Sequence, residues 1–145
     1  MLSSIGGMEL PGRHEGERPM SNALNWFEIP VTDLARARRF YGSLLQTELR
    51  EETMAGTSMA ILPYDREKGG VGGALVAGPQ FVPGAQGAVV YLNAGKDLDG
   101  ALARVKSGGG KVVMERVELP NNIGSIAHFL DTEGNRVALH SPAAH

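Results

Sequence analysis

The stretch NWFEIPVTDLARARRFYGSLL, residues 25–45, holds a short apolar strand, a helix cap and an amphipathic helix in immediate succession. Leu24 to Val31 is apolar over a strand's length, and Thr32-Asp33 offers the side-chain oxygen that a helix N-terminus needs for its unpaired amides. Leu34, Ala37, Phe40, Tyr41, Leu44 and Leu45 then recur at helical spacing. They gather on one face and leave Arg36, Arg38 and Arg39 largely on the other, which reads as a solvated charged face. Within the strand, Phe27, Ile29 and Val31 alternate with Trp26, Glu28 and Pro30. The all-apolar set must pack under the helix, so Trp26 and Glu28 turn to the opposite face. Glu28 is the one acid in this strand, and what it does depends on what that face lines.

The pattern continues outward. Thr57 to Leu62 and Gly73 to Ala77 read as strands joined by the turn-rich PYDREKGGVGG, and GPQFVPGAQG reads as a linker. A strand then returns at Ala88 to Asn93, followed by Asp97 as a cap and by Leu98, Ala101, Leu102 and Val105 as a helical stripe that stops at Gly108-Gly109-Gly110. Lys111 to Arg116, Ser125 to Leu130 and Arg136 to His140 complete the strands, the last two joined by the turn DTEGN. The helix starts D-L-A-R-A at Asp33 and D-L-D-G-A at Asp97 share D-L-x-x-A at an offset of 64. Together with the common element order, this points to internal duplication: two strand-helix-strand-strand-strand units in one chain. The expected organisation is a tail over residues 1–22, rich in glycine, proline and alternating charge, and then a single α+β domain over 23–143. Module one spans 24–78, the linker 79–86 and module two 87–142. His14 falls in the tail and reads as a solvated side chain.

Bulk properties narrow the function. The 145 residues carry 14 basic and 16 acidic side chains, a formal charge of −2, so no broad basic face for nucleic acid is expected. The absence of cysteine excludes disulfides, thiolate nucleophiles and zinc-thiolate sites. No apolar run reaches the roughly 20 residues of a membrane helix, and the N-terminus lacks the pattern of a signal peptide, so a cytoplasmic location is expected. GGVGG lacks the Lys-Ser/Thr of a phosphate loop and precedes a strand, which makes it a hairpin connection. DTEGN lacks the repeated acids of a calcium loop. Met54, Met59 and Met114 read as core or pocket filler.

Three motifs, PVTDLARARRFYGSLL, DLDGALARVKSGGGKVV and FLDTEGNRVALHSP, in this order and spacing, resemble the vicinal oxygen chelate superfamily. That superfamily comprises glyoxalase I, bleomycin and fosfomycin resistance proteins and extradiol dioxygenases. The resemblance implies paired βαβββ modules forming an incomplete barrel around a cleft, commonly in a homodimer. It also implies a divalent metal held by His, Gln or Glu on the cleft, at slots that counting from the motifs places on Trp26, Val90, Ala138 and the segment Gly72 to Leu75. None of these carries a ligand for such a cation, so no metal and no other cofactor is expected.

Trp26, with Val90, Leu92, His128 and Ala138, is expected to line a cleft for a small, planar or hydrophobic organic molecule. Glu28 and His140 lie two residues beyond their slots and could divide base and acid roles in a lyase or isomerase reaction. His128 faces the cleft if Leu130 pairs with Arg136 and faces away after a one-residue slip. Two other functions stay open beside a purely structural dimer whose cleft Trp26 fills. One is a sequestering protein of the bleomycin-resistance type; the other is a metalloenzyme with a displaced centre formed by Glu28, His128 and His140.

Overall fold

The computed structural model describes residues 22–143. The expected tail, with His14, lies almost wholly outside them. The first module comprises β1 (Trp26–Pro30), α1 (Leu34–Leu45), β2 (Arg50–Met54), β3 (Thr57–Ile61) and β4 (Gly72–Val76). The second comprises β5 (Tyr91–Asn93), α2 (Leu98–Ser107), β6 (Lys111–Leu119), β7 (Gly124–Leu130) and β8 (Arg136–Ser141). Each helix begins where its aspartate turns back: Asp33 Oδ1 accepts from the Arg36 amide at 3.0 Å and Asp97 Oδ1 from the Gly100 amide at 2.9 Å.

Each module folds into a four-stranded mixed sheet, in the orders β1-β4-β3-β2 and β5-β8-β7-β6. The first strand of each module runs parallel to the last and the other pairings are antiparallel. The architecture is thus α+β, two βαβββ modules that do not close into a barrel. Among the described residues no helix is long and apolar enough to cross a membrane.

Both helices pack on the same side of their sheets and share one core. Ile29, Val31, Phe40, Tyr41, Leu44 and Leu75 of module one join Leu98, Leu102, Val105, Phe129 and Leu139 of module two in a single buried cluster. Each such side chain contributes about 1.5–3 kcal/mol on burial, enough to make this face of each sheet the one that organises the fold. Phe129 of β7 stacks at a tilt on Phe40 of α1, with centroids 5.8 Å apart.

β2, implied by the repeated plan, was not located in the sequence. Its sequence, REETM, has neither alternation nor an apolar face, because β2 is an edge strand beside β3 alone. Arg38 of α1 holds the approach to it, donating from Nε to the Leu49 carbonyl at 2.8 Å and pairing with Glu51 at 3.0 Å. Of the GGVGG glycines, Gly73 lies in β4 as expected and Gly72 joins it there. Backbone and side-chain bonds from the DTEGN turn tie the modules together. Tyr41 donates to Asp131 at 2.6 Å, and Asn135 Nδ2 donates to the Pro30 carbonyl at 2.7 Å. Asn135 Oδ1 accepts from the linker amide of Gly84 at 3.0 Å.

Candidate functional site

The faces turned away from the helices differ between the modules. On module one, Trp26 stands opposite Gly72, Glu28 opposite Ala74, and Met59 opposite Val76. Met59, Ile61, Ala74 and Val76 are buried there beneath Trp26 and Phe81. The Tyr64 ring meets Trp26 edge-on, with centroids 6.1 Å apart at 80°. A Cβ built on Gly72 would collide with the edge of the Tyr64 ring, so this glycine leaves the space in which the tyrosine sits. Glu28 is exposed at the rim of this aromatic roof, where Trp26 Nε1 donates to its Oε2 at a long 3.4 Å.

On module two the register forms two rows across the sheet. Tyr91, Ala138, His128 and Met114 make one; Asn93, His140, Ile126 and Val117 make the next. Ala138 is fully buried because its neighbours lean across it: the Tyr91 hydroxyl and His128 Nε2 meet at 2.8 Å, their rings edge-to-face at 5.3 Å. Behind them Arg136 Nε donates to His128 Nδ1 at 3.0 Å.

An arginine cannot accept, so Nδ1 holds a lone pair and the imidazole proton sits on Nε2. His128 is therefore the donor to Tyr91, and the phenolic hydrogen is left to point elsewhere. Burial, and then the Arg136 charge, hold the His128 pKa below its ordinary value of 6.5, consistent with a neutral ring. In the next row His140 Nε2 donates to the Ile123 carbonyl at 2.7 Å. A pocket of about 530 Å³ lies here, lined by Tyr91, Asn93, Leu119, Ile126, His140 and Pro142. Tyr91 also borders a second pocket of about 660 Å³, whose wall includes Phe27, Glu28 and Gly72.

The expected site residues are placed unevenly. Trp26, His128, Ala138 and His140 stand on the faces turned from the helices, and Leu130 pairs with Arg136, which is the register that brings His128 to that side. Val90 and Leu92 border the pocket of about 660 Å³ but do not face the open side. Leu92 is buried in the helix-side core and Val90 packs against it, while Tyr91 and Asn93 take the open face. The reason is a connection one residue shorter in module two: Trp26 precedes its capping Asp33 by seven positions and Tyr91 precedes Asp97 by six. A tight turn absorbs the difference, with Gly95 at φ +70° and its amide bonded to Asn93 Oδ1 at 2.9 Å. The Asn-Ala-Gly turn was the available signal.

Glu28 and His140 are not joined: the one bonds Trp26, the other Ile123. Among the described residues no three His, Asp or Glu side chains cluster in a way that could hold a metal ion, so Glu28, His128 and His140 do not assemble into a centre. The open-face positions hold indole, glycine, methyl and a single phenol oxygen, that of Tyr91, and this donor set does not fit a divalent cation. Tyr91 and Arg136 were missed as site residues, since a contact made across a small residue on the middle strand leaves no periodic trace. Of the methionines, Met59 is buried in the module-one cluster and Met114 stands opposite His128. The Met54 side chain is outside what is described.

A family model described as Glyoxalase/Bleomycin resistance protein/Dioxygenase superfamily matches residues 23–139. No curated protein matches the chain. Among solved structures, a glyoxalase/bleomycin resistance protein from Albidiferax ferrireducens superposes with a TM-score of 0.64 at 16% identity, over 83% of this chain and 98% of that one. The genomically encoded fosfomycin resistance protein FosX from Listeria monocytogenes gives 0.59 at 16%, over 87% and 95%. A glyoxalase I mutant from Zea mays gives 0.60 at 23%, over 81% of this chain and 46% of that one. A mutant of the Listeria protein was solved with Mn(II) and 1S,2S-dihydroxypropylphosphonic acid. At these identities the likeness is one of fold.

Proposed function

The chain belongs to the Glyoxalase/Bleomycin resistance protein/Dioxygenase superfamily, and from that premise we propose that it binds a small organic molecule without a metal ion, on the open face of its second module. One observation carries this. In each module an aromatic pair closes over a residue that has no donor atom in its side chain: Trp26 and Tyr64 over Gly72, Tyr91 and His128 over Ala138. The surfaces so made are apolar with a few fixed polar atoms, which is the chemistry of an organic-ligand pocket. The separate hydrogen-bond partners of Glu28 and His140 favour sequestration over acid–base turnover. Pairing of two copies is part of the proposal, since Val113, Val117 and Ile123 leave apolar surface exposed on module two.

The test uses protein purified without chelator. Metal content is measured on the same sample, and a panel of small aromatic compounds is screened by calorimetry before and after dialysis against EDTA. Substoichiometric metal, binding unchanged by EDTA and ligand recovered unaltered are expected. One equivalent of ion whose removal abolishes binding would overturn the proposal.

A further inference from the structure

Resting on that small-molecule reading, we infer that the Arg136–His128–Tyr91 chain selects the ligand's class: a compact apolar or planar molecule presenting an acceptor oxygen, as a carboxylate or a ketone, to the Tyr91 hydroxyl. The direction of every bond in the chain follows from its first member. Arg136 can only donate, at 3.0 Å to Nδ1. That fixes the imidazole proton on Nε2, which lies 2.8 Å from the phenolic oxygen. The oxygen is occupied as an acceptor, and its own hydrogen is the free end of a chain in which each group donates to the next. A positive guanidinium at the far end polarises the series in one sense, toward an oxygen at the near end.

The surroundings supply the rest of the specificity. Tyr91 is 49% exposed and lines the pocket of about 530 Å³. Leu119, Ile126 and Pro142 give an apolar wall in a pocket of about 530 Å³, room for a one- or two-ring molecule. Asn93 Oδ1 is occupied by the Gly95 amide, which leaves its NH2 group as a second donor beside the first. His140 spends its Nε2 proton on Ile123. Glu28 borders Tyr91 on the β1 side, but Trp26 Nε1 donates to that carboxylate. Two donors on a hydrocarbon wall match one oxygen-bearing head on a hydrocarbon body.

The experiment compares 2-naphthoate, 2-acetylnaphthalene and 2-methylnaphthalene, the last below its solubility limit, by calorimetry and ligand-observed NMR on the full chain and on Tyr91→Phe. The two oxygen-bearing compounds are expected to bind about tenfold or more tighter than the hydrocarbon, and Tyr91→Phe to remove that advantage while leaving the hydrocarbon's affinity unchanged. A ¹⁵N imidazole spectrum should show His128 as the Nε2–H tautomer, with the preference lost in Arg136→Met. Equal affinity for the three compounds, or an unchanged profile in Tyr91→Phe, overturns this inference and leaves the small-molecule reading standing. Failure of all three to bind overturns both. An Nδ1–H or charged His128 at pH 7.5 overturns the chain itself.

Discussion

Tyr41 is fully buried in the α1 core, yet its hydroxyl donates at 2.6 Å to Asp131, a carboxylate only 5% exposed. Burial, and then the charge of Asp131, hold the phenol well above its ordinary pKa of 10, so it remains a donor at any working pH. The carboxylate also accepts from the amides of Glu133 and Asn135 and from Asn135 Nδ2. Tyr41→Phe leaves the shape intact and removes one of these donors. It should cost about 1–3 kcal/mol in urea denaturation without changing ligand affinity. His128 gives a second prediction at this scale. Its folded pKa is depressed, so the folded state favours the neutral ring. The contribution is complete above about pH 6.5 and falls away as pH drops through the folded value, because there the unfolded chain binds the proton more readily. Tyr91, Arg136 and Met114 face this ring. Arg136→Met removes the second cause of the shift, and an NMR titration should find the His128 pKa moved upward. The facing of Trp26 and Glu28 was legible because one strand's alternation decides it. The Tyr91–His128 bridge was not, because it depends on three strands in register.

Helix α1 is anchored from the other module. Glu133 Oε1 accepts from the amides of Thr32 and Asp33, both at 2.9 Å, while Oε2 takes Arg36 Nε at 2.7 Å. The arginine expected on a solvated face is thus a clamp, and Glu133 places negative charge at the helix N-terminus, where the macrodipole favours it. Burial would raise the Glu133 pKa, but the Arg36 bonds, with the Asp33, Thr132 and Thr32 donors, bring it down from 4.5 to about 2. A depressed carboxylate contributes stability above its unfolded value that is lost as pH falls through the folded one, here between about 4.5 and 2. Glu133→Gln should therefore lower stability by about 2–3 kcal/mol at neutral pH and flatten the acid limb of a melting-temperature profile across that window. At this scale the sequence was clearest where periodicity was strong. The stripes of α1 and α2 and their aspartate caps are where residue spacing put them. β2, exposed and polar at a sheet edge, carries no such pattern. The facing of β5 slipped by one residue because its turn is shorter than its counterpart in module one, and the strand begins at Tyr91 instead of Ala88.

The duplicated plan was visible in the repeated helix starts; the joining of the two copies was not. Two modules read from sequence could have been two beads. The structure instead runs one buried cluster through Phe40, Leu44, Leu98, Val105 and Phe129, crossed by the Tyr41–Asp131 and Asn135–Pro30 bonds. Neither module can open without exposing apolar surface of the other, so unfolding should be a single event. Trp26 is the sole tryptophan and reports on module one. Its fluorescence transition in denaturant should superimpose on the hydrogen-exchange loss of β7 in module two, and two separated midpoints would contradict the shared core.

The two sheets also share a way of ending. β2 carries Arg50, Glu51 and Glu52, and β6 carries Lys111, Glu115, Arg116 and Glu118, with register breaks between Val112 and Met114 and between Met114 and Val117. Open backbone along a rim is an invitation to fibril growth, and kinks studded with charge of both signs withdraw it. Crowded copies of this molecule would thus be turned away at these two borders, β2 by its charges and β6 by its charges and its register breaks.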